Sequence, residues 1–480
     1  MTNVDISALL PLIVLAATAV VVMLLIAFYR CHILSAILTL LGITASLATL
    51  INAYPILPRQ ITTLLLLDHY AFFYICLILA ASFVVVVLSY GYFKKREGNH
   101  EEFYILLLLA ILGSAVLIAS NHFASLFLGL EILSVSLYAL IAYTRFQDNA
   151  IEAGIKYLIL AAVSAAFLLF GMALIYAELG TMSFTSIGAK ITDTQNVIIY
   201  AGMTMIIAGI GFKLALVPFH MWTPDVYEGS PAPVTAFIAT VSKGALFAVL
   251  LRYFNVFDVR LNSSLFLIFT VIAIASMFFG NILALLQDNV KRILAYSSIA
   301  HLGYLLVAFL AGRTYAFTAV AFYLIAYFVT TLGAFGIITV LSGKERDADN
   351  LEDYKGMAWR RPFLSAVFTA MLLSLAGIPL TAGFIAKFYI MGAGVGSELW
   401  TLVVILAVTS GIGLFYYLRV IVTLYTRPSE KEIPVTAERV SLAGGIVLAT
   451  LAAMLLWMGT YPSMFIDIIQ MIIGSNFIRG

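Results

Sequence analysis

Charged side chains make up only 10% of the 480 residues, against about 25% in a soluble domain, and no stretch of ordinary polarity is left over to form one. Cysteine is nearly absent. Cys31 and Cys76 lie in or beside apolar runs and form no C-x-x-C pair, so iron-sulfur or structural zinc ligation has no basis, and neither has a disulfide framework. No convincing Walker lysine motif, G-x-G-x-x-G element or nucleophile elbow occurs. The formal net charge is +2, and its basic residues are scattered among loops rather than gathered on one face, which argues against a nucleic-acid surface.

Apolar length is what the chain has in abundance. Hydrophobic residues make up 63% of it and the mean hydropathy is +1.07. Runs of about 20 residues, enough to cross a ~30 Å hydrocarbon core, recur from end to end with short breaks. They predict an all-α polytopic membrane protein of about fourteen transmembrane helices. The first run, Ile6 to Phe28, has no basic n-region and no clear cleavage site, so a retained span is expected. The apolar tail, Ser463 to Gly480, is too short for a fifteenth and is expected to be an interfacial helix. Of 26 Lys and Arg, four fall mid-span: Lys156, Lys213, Lys243 and Lys387. The loops after odd-numbered spans hold 16 of the others, Lys291 and Arg292 among them, and the opposite loops six. By the positive-inside rule both termini face away from the cytoplasm.

The seventh span, near 197–219, interrupts itself with Gly209, Gly211 and Pro218, and the twelfth, near 363–392, with Gly377, Pro379 and Gly383. Both are predicted to be discontinuous helices. If spans four to eight form one unit and nine to thirteen another, each interrupted helix is the fourth of five. Five is odd, so the second unit crosses in the opposite sense. That gives two inverted five-helix repeats of the transporter kind, with sites at the breaks, and units at 1–102 (helices one to three), 103–254, 263–424 and 425–480 (last helix and tail). The alternative is two unrelated proline kinks tolerated by neighbouring helices.

Ionisable residues inside spans carry the functional signal: Glu131 in the fifth, Lys156 in the sixth, Lys213 in the seventh, Lys243 in the eighth, His301 in the tenth and Lys387 in the twelfth. Each charged centre costs ~2.5–3.5 kcal/mol on insertion, so five of them, His301 aside, sum to ~15 kcal/mol, the scale of a protein's whole net stability. Snorkelling or a structural ion pair is the competing account, strongest for Lys156 near its span's start; His301 has the alternative of a satisfied core histidine. A proton path needs groups whose proton affinity can be switched. Desolvation loosens an ammonium's hold on its proton and a nearby carboxylate tightens it, so movement of Glu131 relative to Lys213 would act as such a switch. His220, Asp225 and Glu228 come after the seventh span in a Pro-rich loop, without metal-ligand spacing, and no metal site is expected.

These stretches carry a resemblance. GFKLALVPFHMWTPDVYEGSPAPVTAFIATVSK (Gly211 to Lys243) resembles the signature of the antiporter-like membrane subunits of respiratory complex I. SLFLGLEILSVSLYAL around Glu131, IEAGIKYLIL around Lys156, DNVKRILAYSSIAHLGYLL through the tenth span and LSLAGIPLTAGFIAKFY around Lys387 resemble, within that family, subunit N of bacterial NADH:quinone oxidoreductase, counterpart of mitochondrial NADH dehydrogenase subunit 2. Subunit M carries glutamate where this chain has Lys387, and subunit L continues into a lateral helix not found here. The resemblance implies a half-channel in each repeat and proton translocation through Glu131, Lys156, Lys213, Lys243, His301 and Lys387, with Glu131 and Lys213 as a switching pair, Lys243 bridging to the second half, His301 as a relay and Lys387 as the terminal site. It implies a bacterial inner membrane and electrons passed from NADH through FMN and iron-sulfur clusters to quinone in other subunits, with no cofactor bound in this chain. The implied neighbours are K and M, with A, H, J and L in the same membrane arm. Three rivals are a subunit of a multisubunit cation/proton antiporter, a structural anchor without transport, and a haem cytochrome; the last needs paired intramembrane histidines, and only His301 lies deep in a span.

Overall fold

The computed structural model describes residues 2–144, 148–191, 196–256, 259–427 and 441–473, so parts of the expected 425–480 unit, 428–440 and 474–480, lie outside the described residues. Among the described residues thirteen helices are long and apolar enough to cross a membrane. Two shorter ones, Pro362–Ala376 and Ala382–Gly396, succeed one another as the halves of one interrupted span, the twelfth, and bring the count to the fourteen expected. Short polar residues start many of the spans: Asp68, Asn196, Asn262, Asn289 and Ser441 each accept a hydrogen bond from a first-turn backbone N–H, supplying partners that lipid cannot.

Without a strong hydrophobic drive between helices in lipid, close packing falls to small residues. A Cβ on Gly113 of the fourth span (Glu102–Ala119) would lie 2.6 Å from the backbone N of Leu133 in the fifth (Phe123–Ile141). A Cβ on Gly280 of the ninth (Ser263–Leu285) would lie 2.6 Å from the backbone N of Ala300 in the tenth (Val290–Ala311). The first pair of each five-helix set therefore meets in the same way.

Both interrupted helices end in one motif. The seventh span (Val197–Leu214) closes with Ala215 in the left-handed region, φ 60°; Leu216 N–H donates to Gly211 O at 2.8 Å and Ala215 N–H to Phe212 O at 2.9 Å. The half-helix Pro362–Ala376 closes with Gly377, φ 86°, and Ile378 N–H and Gly377 N–H donate to Leu373 O and Ser374 O, each at 3.0 Å. These are two Schellman caps, with Pro218 and Pro379 just beyond, where the chain cannot continue helical. Gly209 and Gly211, expected at the break, lie inside the helix instead: a Cβ on Gly209 would crowd Leu168 of the sixth span and one on Gly211 the ring of Phe219. Gly383 begins the next half-helix, packed against Ser374. Trp222–Gly229, read as a Pro-rich loop, is helical; Pro224 falls in its first turn, where a missing N–H costs nothing.

Loop contacts fix which ends lie together. Arg59, between spans two and three, pairs with Asp5 at 2.7 Å. On the opposite face Asp347, between spans eleven and twelve, accepts from Tyr92 Oη at 2.7 Å, Arg96 at 3.0 Å, Lys291 Nζ at 3.0 Å and the N–H of Ala232, at the start of the eighth span, at 3.0 Å. Lys291, expected in a loop, is buried in the first turn of the tenth span and also donates to Glu228 O and Ser230 O. Burial pushes the Asp347 carboxyl up, but Lys291, Arg96 and Tyr92 outweigh it and hold it below the usual carboxylate range. The stabilisation is thus present above the unfolded value of about 3.9 and is lost as pH falls through the lower folded one. Asp347→Ala leaves two cations uncompensated, and a loss of about 3–5 kcal/mol is expected as a lower thermal midpoint in detergent at pH 7, with the gap to wild type closing at strongly acidic pH.

The tail forms a helix, Ser463–Ile473, with Ile466, Ile469 and Ile473 buried. A two-stranded hairpin, Arg59–Ile61 with Leu65–Leu67, joins the second and third spans.

Candidate functional site

Three lysines of the interior share one pattern of partners. Lys213, in the last turn of the seventh span, donates from Nζ to Ser134 Oγ of the fifth at 2.7 Å and lies 5.7 Å from the ring centre of Tyr157. Lys243, in the eighth span, donates to Ser298 Oγ of the tenth at 2.7 Å, 5.2 Å from the Tyr227 ring. Lys387 donates to Ser410 Oγ at 2.8 Å and to Leu375 O and Ala376 O at 2.9 Å each, 5.3 Å from the Tyr304 ring. All three are at most 5% exposed. A hydroxyl and a ring face stabilise an ammonium without the full countercharge that would fix its proton.

Local structure puts each lysine there. The cap at Ala215 ends the seventh helix two residues after Lys213. A π turn, Ile238–Ser242, immediately precedes Lys243; such turns insert a residue into the helix and re-aim the side chains beyond the insertion. Lys387 points back across the break of the twelfth span onto the last carbonyls of the preceding half-helix, where the helix dipole favours a cation.

Glu131 and Lys213 form no ion pair within 4.0 Å in this arrangement. Glu131 stands one turn before Ser134, the serine that holds Lys213, on the fifth span, and its Oε1 is buried without a hydrogen-bond partner. His301 is clamped: Nδ1 shares a hydrogen bond with Tyr323 Oη at 2.6 Å and Nε2 with Tyr417 Oη at 3.3 Å. Tyr417 in turn bonds Ser297 Oγ, next to the Ser298 that holds Lys243.

Lys156 lies apart from this interior. Its side chain is 43% exposed and pairs with Glu152 at 2.6 Å and Asp225 at 2.8 Å. Arg292 bonds Asp225 and Glu228 at 2.9 and 2.7 Å, so both carboxylates are occupied by cations. Among the described residues no group of three His, Cys, Asp or Glu side chains is placed to hold a metal. The serine and tyrosine partners were not anticipated from the sequence; Ser134, three residues after Glu131 and so on the same helical face, is the one with a readable signal.

Residues 120–413 match the family model described as NADH:quinone oxidoreductase/Mrp antiporter, TM. The chain is 50% identical over 471 residues to NADH-quinone oxidoreductase subunit N of Ectopseudomonas mendocina, covering 96% of this chain and 95% of that protein. It is 54% identical over 487 residues to the subunit N of Nitrosospira multiformis, covering 98% and 96%. Among solved structures it is similar to a chain of respiratory complex I from Thermus thermophilus with bound aureothin, at 30% identity and a TM-score of 0.81, covering 95% of this chain and 98% of that one. With identity at this level over nearly the full length, the chain belongs to the subunit N family of NADH-quinone oxidoreductases.

Proposed function

We propose that this chain is the proton-translocating membrane subunit of an NADH:quinone oxidoreductase, moving protons through its interior while other subunits carry the electrons. The observation that carries the reading is the series Lys213, Lys243 and Lys387, each buried and each held by a serine hydroxyl over a tyrosine ring rather than by a carboxylate. Purely structural buried lysines would be expected in ion pairs, as Lys291 is with Asp347.

In this reading 103–254 and 263–424 are two half-channel units and 1–102 and 425–480 flank them. Lys213 moves between Ser134 and Glu131: near the carboxylate it holds its proton, and on the serine it can release it. Lys243 lies at the seam, on the eighth span but bonded to the tenth. His301 relays, and Lys387 is the terminal site. Moving one charge against 100 mV costs ~2.3 kcal/mol, within what desolvation of an ammonium supplies. Lys156, in its partly exposed cluster with Asp225 and Arg292, is assigned to proton uptake from the cytoplasmic side. FMN, iron-sulfur clusters and quinone belong to other subunits. K and M are its proposed neighbours, with A, H, J and L in the same arm, in a bacterial inner membrane with both termini periplasmic.

The test is NADH-driven acidification of inverted membrane vesicles carrying Lys213→Ala, with assembly of the complex checked on native gels. A fall in pumping of about 10²-fold, the scale of a lost proton-transfer group, is expected in an assembled complex. Pumping at the wild-type rate would remove Lys213 from the path and favour a structural role for the buried charges.

A further inference from the structure

Between Lys243 and Lys387 the interior holds a row of groups that the lysines and His301 do not account for. A neutral imidazole has one donor and one acceptor nitrogen, and both nitrogens of His301 face tyrosine hydroxyls: Tyr323 of the eleventh span (Ala316–Leu341) and Tyr417 of the thirteenth (Trp400–Tyr425). One tyrosine therefore donates to His301 while the other accepts from it, which gives the clamp a direction. On the Lys243 side Tyr417 continues to Ser297, the neighbour of Ser298. On the Lys387 side a cavity of about 10 Å³ is lined by His301, Tyr323, Tyr327, Ser374, Leu375 and Gly383. That is about the volume one water needs, and the buried Tyr327 Oη has no protein partner. Leu375 is also the residue whose carbonyl accepts from Lys387 Nζ at 2.9 Å.

We propose that Tyr417 and Tyr323 are proton-transfer residues, carrying the proton on their hydroxyls into and out of His301, with a single water in the adjoining cavity completing the way to the break of the twelfth span. This rests on the proton-translocating reading given above. In the forward step Ser297 Oγ takes the proton that arrives from the Lys243 side as it passes its own to Tyr417 Oη, and Tyr417 Oη passes its own to Nε2. The Nδ1–H bond breaks toward Tyr323 Oη, whose own proton goes to the water as the water releases one toward the break of the twelfth span. One proton enters, one leaves, each oxygen ends with the hydrogen count it began with, and no electron moves. Because entry and exit use different nitrogens, the ring need not turn over during the transfer; the hydroxyls and the tautomer reverse and reset between protons. Tyr416, next in sequence and equally buried, packs its ring 4.3 Å from that of Tyr417 but donates to Asn281 Oδ1 at 3.1 Å and makes no hydrogen bond to His301.

Tyr417→Phe keeps the ring and removes the hydroxyl. In inverted vesicles with the assembled complex, protons moved per NADH and coupled turnover should fall on the order of tenfold, while Tyr416→Phe, an equal loss of a buried hydroxyl on the same helix, stays near wild type. Should Tyr417→Phe fail to assemble, Tyr323→Phe at the other end of the clamp carries the same expectation. Wild-type pumping by an assembled Tyr417→Phe or Tyr323→Phe complex overturns the proposal, as does an equal loss in Tyr416→Phe. Lys213→Ala in the same preparation separates the two readings. Pumping lost there but kept in the tyrosine variants sinks only the clamp, whereas pumping kept in Lys213→Ala sinks the proton-translocating reading beneath it.

Discussion

Lys387→Arg is expected to stop pumping in a complex that still assembles. The ammonium of Lys387 has two possible duties, which alanine would remove together. One is to close the half-helix Pro362–Ala376, whose last carbonyls Leu375 O and Ala376 O it holds at 2.9 Å. The other is to bind and release a proton. Arginine keeps the positive charge and the donors for the first duty, but its guanidinium does not give up its proton at any working pH. The space is tight, since a Cβ on Gly377 would lie 2.9 Å from Lys387 Cδ, so an overpacking cost of about 1–3 kcal/mol is expected. That is a modest shift in thermal midpoint beside a loss of NADH-driven acidification of about 10²-fold. The measurement is dye quenching in inverted vesicles, with the variant's thermal midpoint recorded alongside. Pumping retained by arginine would assign Lys387 to helix capping alone.

The fourteen spans were legible because a bilayer demands length and apolarity that few other settings tolerate, and the twelfth-span break because Gly377 stands at its left-handed position. Of the residues that pointed to the seventh-span break, only Pro218 stands at it. Its left-handed residue is Ala215, which carries no signal in sequence, while the glycines that drew attention serve close packing. Charge told a similar story. Lys213, Lys243 and Lys387 stood out as costly in any apolar run, but what holds them could not be read. Ser134, Ser298 and Ser410 are ordinary residues until folding brings them from 79, 55 and 23 positions away. Asp347 was hidden in the run from Lys344 to Asp353, which reads as a solvated loop; only its burial against Arg96, Lys291 and the start of the eighth span makes it an anchor. Lys156 shows the limit of position alone, since it lies inside a span and yet sits in a partly exposed ion cluster.

Glu131→Gln should separate charge from shape at the other end of the interior. The carboxylate makes no ion pair with Lys213 here and leaves Oε1 buried without a partner, an arrangement that costs stability rather than supplying it. Glutamine has nearly the same volume and removes the buried charge, so the assembled complex should be as stable as wild type or more so, by up to about 1–3 kcal/mol. Function should go the other way. If Lys213 alternates between Ser134 and Glu131, an amide gives it a place to go but no charge to hold its proton there, and the lysine stays biased toward release. Coupled turnover is then expected to fall at least about tenfold, with Glu131→Asp recovering part of it because the charge returns, though on a shorter arm. A stability gain together with a pumping loss would identify Glu131 as a group kept against its structural cost. Equal stability with undiminished pumping would mean that the proton affinity of Lys213 is set by Ser134 and Tyr157 alone, and the switch would have to be sought at Lys243.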